Sequence, residues 1–258
     1  MTSYFHRLSA TTFEPTEHVG GAWNPAEQHV APVLGLLAHI VETDHETRRP
    51  DAPLVLARAN YDILGVIPMA PFEVETRVIR AGRTIELVEA TLSQGGRAAL
   101  TLRAWMLQTS DTTGVVGTEM ATMPPAEALA EWHADAGWLG GAIRSIDFRH
   151  RSFGPGRAQA WIRPRVPLLV DEPISARSRL LGTADFANGI AIRVSPTEVL
   201  YPNVDLTASV FREPVGEWIG FDTNVSFGPD GVGLTETVLS DEAGPLGTSS
   251  QTLTVRLR

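Results

Sequence analysis

NVDLTASVFREP (203–214), WIGFDTNVSFGPDG (218–231) and SDEAGPLGTSSQTLTVRLR (240–258) decide the fold, because an earlier part of the chain has the same order. Residues 54–107 read as an extended strand, Pro68, and then three more strands, including FEVETRVIRAGRT (72–84) and GGRAALTLRAWML (95–107). Pro68 matches Pro214, Phe72 matches Trp218 and Gly96 matches Gly244, all at an offset of about 147 residues. Self-similarity at one offset is the mark of a duplicated structural unit. Wherever the copies differ, the difference is a candidate for function.

The strands alternate. Phe72, Val74, Thr76 and Val78 share one face and Glu73, Glu75 and Arg77 the other; Ile219, Phe221, Thr223, Val225 and Phe227 behave alike. That period predicts antiparallel sheet with one wet face. Residues 29–47, HVAPVLGLLAHIVETDHET, put Val30, Val33, Leu34, Leu37 and Val41 at helical spacing. Pro32 falls in the first turn, where a missing N–H costs little. A second helix is expected over about 174–188, with Ala176, Leu180, Ala184 and Ala187 on one face and Asn188-Gly189 as its stop. Each helix carries a central glycine, Gly35 or Gly182, again about 147 apart. Glycine there costs about 1 kcal/mol against alanine, so a close packing approach is predicted. Residues 110–143 break the pattern and read as a partly helical linker; two strands, about 144–153 and 157–165, open the second half.

At 258 residues the chain can bury a sizeable core. Its formal net charge of −9 argues against non-specific binding to nucleic acid or anionic membrane. It has no cysteine, so neither a disulfide nor a thiolate nucleophile is available. No apolar run approaches the roughly 20 residues that span a bilayer, and MTSYFHRLSATTF lacks the charged and apolar regions of a secretory signal. A cytoplasmic location is the expectation. All 21 cationic Lys and Arg positions are arginine, so any anion site must use guanidinium forks.

One apolar helix followed by long antiparallel strands, twice in one chain, predicts an α+β tandem (double) hotdog, each half an antiparallel sheet wrapped around one long helix. The expected units are 1–109, a linker at 110–143, and 144–258 carrying the site. The segments LLGTADFANG (180–189), PNVDLTASVFREPVGEWIGF (202–221) and DEAGPLGTSSQTLTVRL (241–257) resemble the C-terminal half of the acyl-CoA thioesterase II family. FEPTEHVGGAWNPAEQHVAP (13–32) resembles the N-terminal half of the actinobacterial branch of that superfamily. The resemblance implies hydrolysis of a fatty acyl-CoA to acid and free coenzyme A, with no metal, no cofactor and no covalent serine. It also implies a homodimer or higher assembly. By that resemblance an Asp, a hydroxyl residue and a Gln orient a water. They fall on Asp185, Asn203 and Gln251, with an amide standing where the family has a hydroxyl. An amide still donates and accepts hydrogen bonds.

Each residue also has a plainer reading. Gln251 shares strand parity with Leu253, Val255 and Leu257, so it faces the apolar side and needs a polar partner there. Asp185 lies off the helix stripe, either solvated or facing a groove between the repeats or between subunits. Asn203 shares the polar face of its strand with Asp205, Thr207 and Ser209. Subtracting the offset sends Asp185 to about Ala38, Asn203 to about Leu56 and Gln251 to about Ala104, or to Arg103 with a one-residue slip, so none of the three is reproduced in the first copy. Such asymmetry fits one active site per chain, or drift on an exposed surface.

Two substrate-binding candidates remain. His29 sits where single-hotdog thioesterases often carry His-Gly-Gly, though Val30 and Ala31 replace the glycines; it also reads as a helix-start residue. Arg83, after Gly82, either reaches a coenzyme A phosphate or marks a hairpin turn. HExxH, GxSxG, GxGxxG and GxxxxGK[ST] are all missing, so metal-hydrolase, α/β-hydrolase, dinucleotide and P-loop chemistry have no sequence support. The chief alternative is a non-catalytic acyl-CoA or lipid binder on the same fold. A hydratase ranks behind it, since no histidine near 185–210 accompanies the acid.

Overall fold

Long alternating strands must curl to bury their apolar faces, and here they curl around helices. The computed structural model describes residues 2–258. The first repeat contains β1 (Phe5–Arg7), β2 (Thr12–Pro15), α1 (Val30–Arg48), β3 (Val55–Ile63), β4 (Phe72–Arg80), β5 (Ile85–Gln94) and β6 (Arg97–Leu107). After a connecting segment with β7 (Ala130–Glu131) and α2 (Gly141–Arg144), the second contains β8 (Ile146–Gly154), β9 (Arg157–Pro164), α3 (Ala176–Leu181) and α4 (Ala187–Ile190). It continues with β10 (Val199–Leu200), β11 (Asp205–Val210), β12 (Ile219–Phe227), β13 (Val232–Asp241), β14 (Gly244–Thr254) and β15 (Arg256–Leu257). Thirteen strands form one antiparallel sheet in the order β1-β2-β4-β5-β6-β3-β11-β14-β13-β12-β9-β8-β7, and β10 pairs with β15 apart from it. No helix among the described residues is long and apolar enough to cross a membrane.

The offset seen in the sequence is the symmetry of the sheet. The repeats join where β3 pairs with β11, and Asn60 there faces Thr207, its own counterpart 147 residues on. The Asn60 amide donates to the Thr207 hydroxyl at 2.7 Å. A β-bulge between Leu92 and Ser93 in β5 recurs between Leu239 and Ser240 in β13, the same place in each copy. Bulges bend a strand and increase its twist, which is how these sheets wrap.

Residues Ala31–Val41 of α1 are buried on every side. Such a helix needs neighbours all round; its own sheet covers one side and α3 the other. The two helices touch at their glycines. A Cβ on Gly35 would lie 2.7 Å from Gly182 Cα and 2.8 Å from the Ser178 carbonyl oxygen. The predicted close approach is therefore between equivalent residues of the two copies.

The second helix departs from the continuous 174–188 element expected. It breaks after Gly182 into α3, a 3-10 turn at Ala184–Phe186 and α4, and Asn188-Gly189 lies inside α4 rather than stopping it. Thr183 makes the break: its hydroxyl donates to the Leu180 carbonyl at 2.7 Å, competing with regular helix bonding. The connecting segment, expected to be partly helical, holds three 3-10 turns before α2. Met123, Ala126 and Leu129 pack on Trp161, whose indole N–H donates to the Pro124 carbonyl at 2.8 Å.

Gly35→Ala is expected to lower the unfolding free energy by about 1–3 kcal/mol through overpacking, despite the better helix propensity of alanine. Gly117→Ala, which meets nothing within 4 Å, is the control and should stay within about 0.5 kcal/mol of the parent. Urea unfolding of the two variants checks this; equal stabilities would contradict the close crossing.

Candidate active site

The break at Thr183 swings Asp185 out of helical register and into the interior. Its 3-10 turn is held by Phe186 N–H donating to the Thr183 carbonyl at 3.1 Å. Asp185 is 6% exposed, against the solvated carboxylate that its sequence position allows. Both amides converge on one of its oxygens. Asn203 Nδ2 donates to Oδ1 at 2.7 Å, and Gln251 Nε2 donates to the same atom at 2.9 Å.

Strand chemistry sets those two amides side by side. Gln251 faces inward from β14, as its parity predicted, and is 1% exposed. Asn203 precedes β11, and its segment is laced to the end of β14. Val204 N–H donates to the Thr252 carbonyl at 3.0 Å, and Thr252 N–H donates to the Asp205 carboxylate at 2.6 Å. Asn203 consequently points onto Asp185 rather than outward with Asp205, Thr207 and Ser209. Its second amide proton goes to the Asp205 carbonyl at 3.1 Å. Each amide thus gives one N–H to the carboxylate, and Gln251 does not itself line the cavity beside it.

The free oxygen, Oδ2, has one close polar neighbour, His29 Nδ1 at 3.5 Å. His29 caps α1, and Nδ1 accepts the Ala31 backbone N–H at 3.1 Å. With that lone pair engaged, the neutral ring carries its proton on Nε2. The ring lies against Phe186, centroids 4.6 Å apart. Burial pushes His29 down to about 4. Burial also pushes the Asp185 carboxyl up to about 7, against the downward pull of the Asn203 and Gln251 hydrogen bonds. Near neutral pH the two groups are therefore a neutral imidazole and a carboxyl close to half ionised, not an ion pair.

These groups open onto a cavity of about 460 Å³ whose walls are largely apolar. Such a volume suits a small-molecule site. Trp23 from the first repeat, Trp132 and Trp138 from the connecting segment, and Phe148, Phe186 and Ile190 from the second repeat form its apolar sides. The tryptophans escaped the sequence reading; three of them flanking the candidate motifs were the available signal. Among the described residues no three His, Cys, Asp or Glu side chains group as a metal site.

Arg83 is not part of this site. It is exposed on the β4–β5 turn, where its carbonyl accepts from Arg49 at the C-terminal end of α1, at 2.9 Å. His29 marks the other end of that 19-residue helix, about 28 Å away at 1.5 Å per residue. Arg83 thus occupies the hairpin turn between β4 and β5. The histidine judged absent from the neighbourhood of Asp185 is supplied by the other repeat, 156 positions earlier in the chain.

Comparison with known proteins adds the family. The family pattern described as acyl-CoA thioesterase N-terminal domain matches residues 19–107, and that of the acyl-CoA thioesterase C-terminal domain matches residues 119–255. No curated protein sequence matches the chain. Among solved structures, a hot dog fold protein of Alicyclobacillus acidocaldarius superposes with a TM-score of 0.74 at 14% identity, covering 97% of this chain and 95% of that one. The acyl-CoA thioesterase II TesB2 of Mycobacterium marinum gives 0.69 at 16% identity, covering 98% and 96%. At such identities the structural likeness establishes the fold, while the two family patterns together span both repeats in order. The chain belongs to the acyl-CoA thioesterase family and is a tandem hotdog protein of it.

Proposed function

We propose that the protein hydrolyses fatty acyl-CoA thioesters, with Asp185 as general base for an attacking water. The observation that carries this reading is a buried carboxylate gripped through one oxygen by two amides, with its other oxygen beside an apolar cavity. A carboxyl raised to about 7 is both ionised enough and basic enough to take a proton near neutrality. The water oxygen attacks the thioester carbonyl carbon while its proton passes to Asp185 Oδ2. The tetrahedral oxyanion sits at the amino end of α1, where helix-end N–H groups and the His29 Nε2–H favour negative charge. Collapse breaks the C–S bond, and the proton leaves with the thiolate. Asn203 serves by holding Asp185, which explains how an amide replaces a hydroxyl. All four polar groups come from one chain, so the reading needs no partner subunit.

A second reading, hydration of a 2-enoyl thioester, is favoured by one observation: the His29–Asp185 pair, 3.5 Å apart, is the acid-and-imidazole combination that such chemistry needs. Free-thiol release across acyl-CoA chain lengths, run beside enoyl absorbance, separates the two. Thiol release is expected, with Asp185→Ala and Gln251→Ala each slowing turnover by about a hundredfold or more. The rate should rise with pH through about 7 as Asp185 ionises and should show no step from His29 there, since that ring is neutral throughout. Loss of enoyl absorbance without thiol release would favour hydration. Thermal stabilisation by acyl-CoA with neither reaction would leave a binding protein.

The same carboxyl links stability to pH. A native pKa raised from 3.8 to about 7 means that the folded protein holds a proton which the unfolded chain has released. The stability from this group is complete below the unfolded value and is lost as pH climbs through about 7, on the order of 4 kcal/mol in all. Asp185→Asn is therefore expected to be more stable than the parent at about pH 8, with the advantage shrinking towards about pH 4. Urea midpoints across that range test it; a variant weaker at every pH would contradict the burial of an ionisable carboxyl.

A further inference from the structure

The cavity's own walls carry two charged side chains, Glu27 and Asp185, and both are acidic. An acyl-CoA must nevertheless place a 3′-phosphorylated ADP somewhere, and no cation in that cavity meets it. The adjoining space differs. A groove of about 330 Å³ shares the wall formed by Trp132, Ala134, Ile143 and Phe148 with the cavity, and four arginines line it: Arg144, Arg149, Arg163 and Arg165. Resting on the thioesterase reading above, we propose that this groove holds the 3′-phosphorylated ADP of coenzyme A, with the pantetheine arm crossing the shared wall to the Asp185 cavity.

The groove gathers four arginines in a chain whose formal net charge is −9. They meet three carboxylates in the lining, from Glu131, Asp135 and Asp147, with His133 beside them, and Glu217 lies 3.5 Å from Arg163. Asp147 alone serves two of the arginines, at 2.9 Å from Arg163 and 3.5 Å from Arg165. Glu131 pairs with Arg149 at 3.0 Å. Arg144 is exposed and has no ion-pair partner among the described residues. Planar guanidinium forks match phosphate oxygens in pairs. The groove also has indole rings in its walls, both half-buried and already stacked: Trp132 lies against His150 with centroids 4.5 Å apart, and the Arg163 guanidinium lies 4.7 Å over Trp218, so a purine would extend those stacks. Phosphate-binding forks beside stacking surfaces, at one wall's remove from the reacting carboxylate, fit a nucleotide tethered to a thioester.

The test is the double variant Arg144→Glu, Arg165→Glu, made at exposed positions outside the Asp185 cavity. Two substrates are compared, an acyl-CoA and the same acyl group on N-acetylcysteamine, which lacks the nucleotide. The variant should raise KM for the acyl-CoA about tenfold or more with little change in kcat. It should leave kcat/KM for the truncated thioester within about twofold of the parent. Added salt should shrink the difference, because exposed charges are screened. In parallel, calorimetric titration with free coenzyme A reads the groove without any turnover. Binding by the parent, weakened about tenfold or more in the variant, is expected even if no thioester is cleaved; in that event the hydrolase reading falls and the groove stands. Equal loss on both substrates, or coenzyme A binding that is absent from the parent or unaltered by the variant, overturns the proposal. So does a variant impaired only towards an acyl group on an acidic carrier protein, which would give the arginines to that partner.

Discussion

Two glycines in contact set the position of everything else. Gly35 and Gly182 stand at the same place in each copy, and the absence of a side chain on either lets α1 and α3 meet at backbone distance. A methyl group there would hold the helices apart and, with them, the two sheets that each helix is wrapped in. The close crossing puts the amino end of α1, six residues before Gly35, against the broken second helix, three residues after Gly182. His29 and Asp185 meet as a result. At the other level of the symmetry, the β3–β11 junction makes one sheet of two and keeps that crossing from sliding.

Duplication supplies two equivalent places for a site, and packing closes one of them. Ala38, Leu56 and Ala104 occupy the positions matching Asp185, Asn203 and Gln251, and all three are fully or almost fully buried in apolar surroundings. In the first copy α1 continues unbroken through this region, so the position equivalent to Asp185 stays on the helix and inside the core. In the second copy Thr183 ends α3, the chain tightens to a 3-10 turn, and a carboxylate is delivered to a cavity instead. Burying a carboxyl is costly unless it is hydrogen-bonded or protonated. Here it is bonded on one oxygen and close to half protonated at neutral pH, as the proposed base requires.

The architecture was readable from the residues because it rests on local periodicity and on a repeated offset. Alternation in 72–78 and 219–227, the two central glycines and the matched prolines survive any tertiary context. The position of Gln251 was readable for the same reason, since strand parity fixes a side. Three features were not. The break at Thr183 depends on a side-chain bond to Leu180 that competes with a plausible helix pattern, so the burial of Asp185 stayed open. Asn203 lies before its strand begins, so the parity of β11 does not govern it. The His29–Asp185 pair is a contact between repeats, and no spacing rule reaches across 156 positions. The cavity walls came partly from the connecting segment, where Trp132 and Trp138 sat in a stretch that broke the repeat and read only as a partly helical linker.

What distinguishes this arrangement from an ordinary buried ion pair is the ionisation of a single carboxyl. Carbon-13 NMR of the protein labelled at its aspartate side-chain carboxyls, with Asp185→Asn used to assign the resonance, measures it directly. A midpoint close to 7 for Asp185, well above the other aspartates, is the expected result. A midpoint near the 3.8 of a solvated aspartate would contradict the poised base on which the proposed chemistry stands.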